Sequence, residues 1–208
     1  MIQLTQFYIR NFRPWLLGVY TRIVYSGSRV EIGKRFRTDS IPRIIVDKGC
    51  VVKIGSNVEF RRNIEIRSHG ISKIIIGNNV RIDRGVRLLA ANTAIIDINE
   101  KVRIGLYSVF NGGDSITVGA KSLVSGFVYL QTSMHGFAQK SLSVQEQGYN
   151  HAPVVLEQDT WLGTHVVVLP GITIGKGAVV GSNAVVSKNI LSYQVVAGIP
   201  AKPIKERE

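Results

Sequence analysis

From residue 156 onward, apolar side chains recur every six residues, at Leu156, Leu162, Val168, Ile174, Val180 and Val186. Four places after each stands a small or β-branched residue (Thr160, Val166, Ile172, Ala178, Ala184, Ile190), and glycine follows directly at Gly163, Gly175 and Gly181. This period suits neither an α-helix nor alternating strands joined by dedicated hairpin turns. It predicts a coil with three short flat sides, one hexad to a side, whose marked residues point inward and stack on the next coil. Glycine and asparagine, among them Asn57, Asn79 and Asn183, suit the corners, where positive φ costs them little.

The same register runs through the first half at a wider spacing. Ile32-Gly33, Ile54-Gly55 and Ile76-Gly77 lie 22 residues apart, and Ile98 continues the series. Within them run the triplets Ile54/Phe60/Ile66, Ile76/Ile82/Leu88 and Ile98/Ile104/Phe110, so each early coil carries about four extra residues at a corner. Val118-Gly119 opens another coil through Val124 and Leu130, but the next start, Leu156, comes 38 residues on. That coil therefore holds an excursion of 20 residues, beginning at Gln131 and spanning 131–152 with its return. In FVYLQTSMHGFAQK, residues 127–140, an apolar strand loses its period and His135 stands just past the break.

With 208 residues, 45% of them hydrophobic, the chain fits one domain with a buried core. The apolar run Trp15 to Tyr20, bounded by Arg13 and Arg22, is far shorter than the roughly 20 residues of a membrane span and lacks signal-peptide features. The single cysteine, Cys50, reads as small buried packing in a reducing compartment, by default the cytoplasm. Of the formal charge of +12, residues 1–103 carry +11. Such a half suggests an anionic partner, either an acidic polymer or the inner face of a membrane, against the plainer reading of a solubilising surface. Nucleic acid is set aside, because no helix-turn-helix, zinc-finger or RNP-type signature accompanies the charge.

The ends differ from the middle. Residues 1–29 mix aromatic and basic side chains without hexads, and either cap the first coil or lie on an acidic membrane with Phe7, Phe12, Trp15 and Tyr20 at the headgroups. The repeats themselves span 30–190. In the tail, 191–208, Pro200 and Pro203 stop the coil stack, and KPIKERE is either ordered or frayed.

Four histidines have different settings. His165 falls between marked positions and should face solvent; His69 stands in a corner insertion; His151 closes the excursion. His135 stands early in a long loop, where function concentrates, and imidazole can accept a hydroxyl proton near neutral pH.

TWLGTHVVVLPGITIGKGAVVGSNAVVSKNI followed by VVAGIPAKPIKER resembles the hexapeptide-repeat acyltransferases, most closely sugar and polysaccharide O-acetyltransferases and the C-terminal half of maltose and galactoside acetyltransferases. The resemblance covers roughly Val30 to the C-terminus. It implies an all-β, single-stranded left-handed parallel β-helix; the hand comes from the family alone, since parallel crossovers in general favour the right. It also implies His135 as general base, sixteen residues after Gly119 as in the family, acting on an acceptor hydroxyl that attacks acetyl-CoA. The backbone N–H of Thr164 corresponds to an oxyanion donor, Trp161 to an aromatic wall of the cleft, and Asn111 to a group orienting the acceptor. Gly163 and Gly181 would allow close backbone approach, and Ser182 and Ser187 match contacts to the pantetheine arm or adenine. Lys202 and Lys205 stand where relatives carry arginine near the CoA phosphates, keeping the charge without the bidentate fork. Family members are homotrimers with sites between subunits, and no metal is expected.

Three rivals are weaker. A carbonic anhydrase of the same class needs three histidines around zinc, and no closely spaced pair occurs here. A serine acetyltransferase brings a large helical N-terminal domain, and acyl-carrier-dependent lipid A enzymes lack the WLG…AGIPAKPIKER combination. A saccharide of capsule, O-antigen or exopolysaccharide, anionic or lipid-linked, is the expected acceptor. Acetylation of small free sugars or xenobiotics, or a non-catalytic β-helix scaffold, is the alternative.

Overall fold

Ile32, Ile54, Ile76, Ile98, Val118, Leu156 and Ile174 stand in one buried column, each on a strand paired in parallel with the next. The computed structural model, which describes residues 2–208, repeats this arrangement on three faces. The first face has seven strands from Val30–Ile32 to Thr173–Ile174, and the third has seven from Arg43–Val46 to Val185–Val186. The second has nine, from Arg37–Thr38 to Lys202–Glu206. The chain visits the faces in turn, so each coil adds one strand to each. This is the parallel β-helix that the hexads predict.

Every marked residue from Leu156 to Ile190 is buried, as are the early triplets. Columns of Ile, Val and Leu supply the core, each such side chain contributing about 1.5–3 kcal/mol on full burial. Cross-strand partners lie 22 residues apart in the early coils, as with Val52 and Ile74, then 20 (Ile96, Ile116), 38 (Ile116, Val154) and 18 (Leu156, Ile174). The early coils place their extra residues at the corner between the third and first faces, for example between Glu65–Ser68 and Lys73–Ile76. Longer strands there bring polar side chains inward, and these are satisfied internally. Ser68 Oγ and Ser72 Oγ are 2.7 Å apart, Ser72 donates to Ala90 O, and buried Cys50 lies beside Ser72.

The corners correct one detail. Asn57, Asn79 and Asn183 do have positive φ, but so do Arg35, Lys101, Tyr107, Phe127, Asp159 and His165. The glycines that follow the marked residues do not: Gly33, Gly55, Gly77, Gly163, Gly175 and Gly181 serve close stacking instead. A Cβ on Gly33 would stand 2.6 Å from Gly55 backbone, and one on Gly163 2.6 Å from Ser182 N. The coil spacing, not local backbone conformation, requires them.

At the N-terminus a helix Ile2–Phe7, a π-helical turn Tyr8–Phe12 and a helix Arg13–Tyr25 follow one another. Pro14 sits at the start of the last segment, where the π-helical turn gives way to α-helix. Pro14, Gly18 and Thr21 are buried against the first coil, and a Cβ on Gly18 would overlap the Phe36 carbonyl oxygen. Phe7, Phe12, Trp15 and Tyr20 stay exposed. Capping and surface display, opposed in the sequence, are thus met by different faces of one helix. Among the described residues no helix is long and apolar enough to cross a membrane.

At the other end the stack runs past 190: Gln194–Ala197 joins the second face beside Val179–Val180. The chain turns through the Ile199-Pro200 cis bond, and Lys202–Glu206 returns antiparallel. Pro200 lies in the reversing turn, Pro203 lies within the return strand opposite Val196, and KPIKE is an ordered strand.

Candidate active site

The excursion is a two-stranded antiparallel arm. Ser133–His135 pairs with Tyr149–His151, aligning Ser133 with His151, Met134 with Asn150 and His135 with Tyr149. Because alternate residues of a strand share a face, Ser133, His135, Tyr149 and His151 stand together on one side of the arm. The His135 and Tyr149 ring centroids are 4.1 Å apart, and those of Tyr149 and His151 6.0 Å. His151 Nδ1 and Ser133 Oγ are 2.9 Å apart. The His135 ring is half-buried, and its Nδ1 is buried without a hydrogen-bond partner among the described residues.

The arm is rooted at the corner between the third and first faces. Gln131 Nε2 donates to Ser133 O, and Thr132 donates through N–H and Oγ1 to Asn111 O. A Cβ on Gly113 would overlap Ser133 Oγ and stand 2.8 Å from His151 Nδ1, so the Ser133 and His151 side chains lie directly over the Gly113 backbone. Asn111, in the strand Val109–Gly112, turns its Nδ2 to Tyr129 Oη at 3.3 Å. Beyond the root, Ser143 donates from its N–H and Oγ to Glu146 at 3.1 and 2.7 Å, which holds that carboxyl below its ordinary range.

The other expected residues lie elsewhere on the prism. Thr164 sits at the corner between the second and third faces, with Oγ1 donating to Gly126 O at 2.8 Å. Its backbone N–H meets no acceptor among the described residues. Gly163, Gly181 and Ser182 share that corner; the close approach that the two glycines permit is made by the next coil, Ser182 over Gly163 and Ala197 over Gly181. Trp161 is half exposed on the second face, its Nε1 donating to Ser125 Oγ at 3.3 Å. His165 is exposed and stacks on Phe127 with centroids 4.7 Å apart, and His69 is exposed in its corner.

Two grooves meet at Trp161. One, about 410 Å³, runs up the second face past Arg103, Arg81 and Arg61. The other, about 550 Å³, runs down past Val179 and Val195 to Lys205 and Arg207. Lys205 thus joins the aromatic wall, whereas Lys202 is not among the lining residues. Ser187 follows Val185–Val186 at the third-to-first corner, away from Ser182. A single chain therefore separates His135 from Thr164 and Trp161, with the third face between the arm and the Thr164 corner. Among the described residues no three metal-binding side chains come together.

Tyr149, Ser133 and Arg207 were not evident as site residues in the sequence. Reading the excursion as a hairpin would have found the first two, since residues 133, 135, 149 and 151 keep a period of two. Arg207, bonded to Asp159 at 3.0 Å and to Gly177 O at 3.1 Å, is visible only once the tail folds back.

The bacterial transferase hexapeptide family (six repeats) matches residues 153–188. A probable acetyltransferase of Mycobacterium tuberculosis, Rv3034c, is 32% identical over 96% of this chain, which spans 60% of that relative's length. A putative lipopolysaccharide biosynthesis O-acetyl transferase of Escherichia coli, WbbJ, is 33% identical over 68% of this chain and 74% of its own. A dTDP-4-amino-4,6-dideoxy-D-glucose acyltransferase of Escherichia coli is 30% identical over 74% and 81%. Among solved structures, the N-acyltransferase AntD from Bacillus cereus, in complex with dTDP and 3-hydroxybutyryl-CoA, superposes with a TM-score of 0.60. That match covers 86% of this chain and 83% of AntD at 21% identity, a likeness of fold. The polySia-specific acetyltransferase NeuO gives 0.60 at 19% identity, over 87% and 82%. The repeats, the coil-interrupting arm and these relatives together make the chain a member of the hexapeptide-repeat acyltransferases.

Proposed function

We propose that the protein transfers an acetyl group from acetyl-CoA to a hydroxyl of a saccharide in capsule, O-antigen or exopolysaccharide synthesis. The arm carries this reading: an otherwise regular stack is interrupted once by a long excursion, and His135 stands on it, half-buried and braced by Tyr149. His135 takes the acceptor hydroxyl proton as the oxygen attacks the thioester carbonyl. The tetrahedral oxyanion accepts a hydrogen bond from Thr164 N–H, worth about 3 kcal/mol when such a donor is well aimed. Collapse expels the CoA thiolate, which recovers the proton from the imidazolium, leaving an ester and free CoA.

The separation of His135 from Thr164 within one chain supports a homotrimer with the site between subunits, His135 working beside Thr164 of the partner subunit. On the donor side, Trp161 with Gly163, Gly181, Ser182 and Lys205 line the acyl-CoA path, Lys202 lies at its margin, and Ser187, at another corner, has no place on it within one chain. Asn111 orients the acceptor from beneath the arm. Along the upper groove Arg61 and Arg81 pair with Glu59, at 3.3 and 3.5 Å, while Arg103 has no carboxylate partner among the described residues. That cation favours an acidic acceptor, carried on a lipid at the cytoplasmic face of the inner membrane.

The relatives named for an amino-sugar acceptor support a second reading, N-acylation. One assay separates the two: acetyl-CoA-dependent thiol release over a panel of neutral, acidic and amino saccharides, followed by mild alkali. An alkali-labile product made faster on acidic saccharides, with rates falling as salt rises, is expected. An alkali-stable product would establish the amide reading, and equal, salt-independent rates would remove the charge argument.

A further inference from the structure

Between the N-terminal helix and the first coil lies a groove of about 590 Å³, lined by Phe7, Phe12, Trp15 and Val19 on one side and Phe36 on the other. Arg22, Arg35 and Arg37 close its polar rim. None of the three is in an ion pair among the described residues. Arg37 is spent on backbone, donating to Arg10 O and Asn11 O, which fixes the π-helical turn over the groove. Arg22 Nε is buried with no hydrogen-bond partner among the described residues. A buried, unpaired guanidinium N–H is costly, and an anion at the rim would satisfy it.

The outer surface of the same segment has the matching chemistry. Ile2, Leu4, Ile9, Leu16 and Ile23 are exposed, beyond the aromatics already named. Residues 1–30 contain four arginines and no acidic residue. The fully buried residues of the packing face are Pro14, Gly18 and Thr21, with Tyr25 packed against the core beside them, so the exposed large apolar side chains are not what caps the stack. Apolar side chains on an arginine-bearing helix suit an interface of hydrocarbon and negative headgroups.

We propose that this end of the protein docks on an anionic phospholipid bilayer, with a phospholipid chain entering the groove and its phosphate meeting Arg22 and Arg35. The docking stands independently of the chemistry at His135. It would orient the β-helix with its first coil at the membrane and the His135 arm several coils away from it.

The test is co-sedimentation of the full-length protein with vesicles, either phosphatidylcholine alone or phosphatidylcholine and phosphatidylglycerol in equal parts, without any acyl donor. Strong binding to the anionic vesicles and little to the neutral ones is expected. Phe12→Ser with Trp15→Ser should weaken binding at least about tenfold. Arg22→Gln with Arg35→Gln should reduce the preference for anionic vesicles by about fivefold per arginine. Unchanged far-ultraviolet circular dichroism and thermal midpoint would show each variant folded; a variant that failed this check would be replaced by Ile23→Ser with Leu16→Ser, on the outer face. Equal binding to both vesicle types, or undiminished binding by the folded variants, would overturn the proposal. So would a serine variant that keeps its vesicle binding but shifts to a smaller species in sedimentation velocity, because a second copy of the chain would then cover the face. Vesicle binding by a protein that releases no thiol from acetyl-CoA would sink the acetyltransferase reading and leave the docking intact.

Discussion

His135 and Tyr149 face each other across the arm, ring centroids 4.1 Å apart and planes tilted by 37°. In the role proposed for His135 a base must be held within a fraction of an ångström, and Tyr149 is the ring packed against it. Tyr149→Ala should lower kcat about tenfold with the KM for acetyl-CoA unchanged, while Tyr149→Phe should stay near wild type. Equal loss in both variants would mean that the hydroxyl, not the ring, matters.

Gly163 meets Ser182 of the next coil so closely that a methyl group cannot be added without moving backbone. Gly163→Ala should therefore cost about 1–3 kcal/mol, read from urea unfolding. A midpoint equal to wild type would show that the coil spacing gives way more easily than close stacking allows.

Burial on the first face raises the Asp97 carboxyl above its ordinary range. The unfolded chain then loses that proton at lower pH than the folded one, so stability falls as pH rises from the unfolded value through the folded value. Asp97→Asn should raise Tm at neutral pH and leave it nearly unchanged in acid below both values. The same gain at both pH values would point to packing rather than charge.

Glu146, held low by Ser143, works in the opposite sense. Its bonds are present at neutral pH and lost as pH falls through the lowered value, which should loosen residues 143–147. Hydrogen exchange corrected for intrinsic rates should show reduced protection there in acid, and in Glu146→Ala at neutral pH. Protection independent of both would show that Gln147, bonded to Gln139, Leu142 and Ser143, holds the loop alone.

Most of the fold was legible because one physical rule repeats: an inward apolar residue at every sixth position leaves a single way to bury Ile54, Ile76 and Ile98. The break at Gln131 was equally legible, since a missing period is as countable as a present one. The internal form of the arm was not. Ser133 and His151 are 18 residues apart and meet only through an antiparallel pairing that the surrounding six-residue rhythm hides. A cap over the first coil was legible in residues 1–29 as one of two readings; which side chains make it was not, since the fully buried ones, Pro14, Gly18 and Thr21, are small and carry little hydrophobic signal. Arg207 reaches Asp159 across 48 positions, by a chain reversal that Pro200 and Pro203 mark only as a stop.

The most direct test of the account is the rate of acetyl-CoA-dependent saccharide acetylation by His135→Ala, compared with wild type across pH. Loss of at least about 100-fold in kcat at every pH is expected, with unaltered CoA binding and melting temperature. A variant that retains wild-type turnover and the same pH profile would contradict the role assigned to His135 and, with it, the site built around the arm.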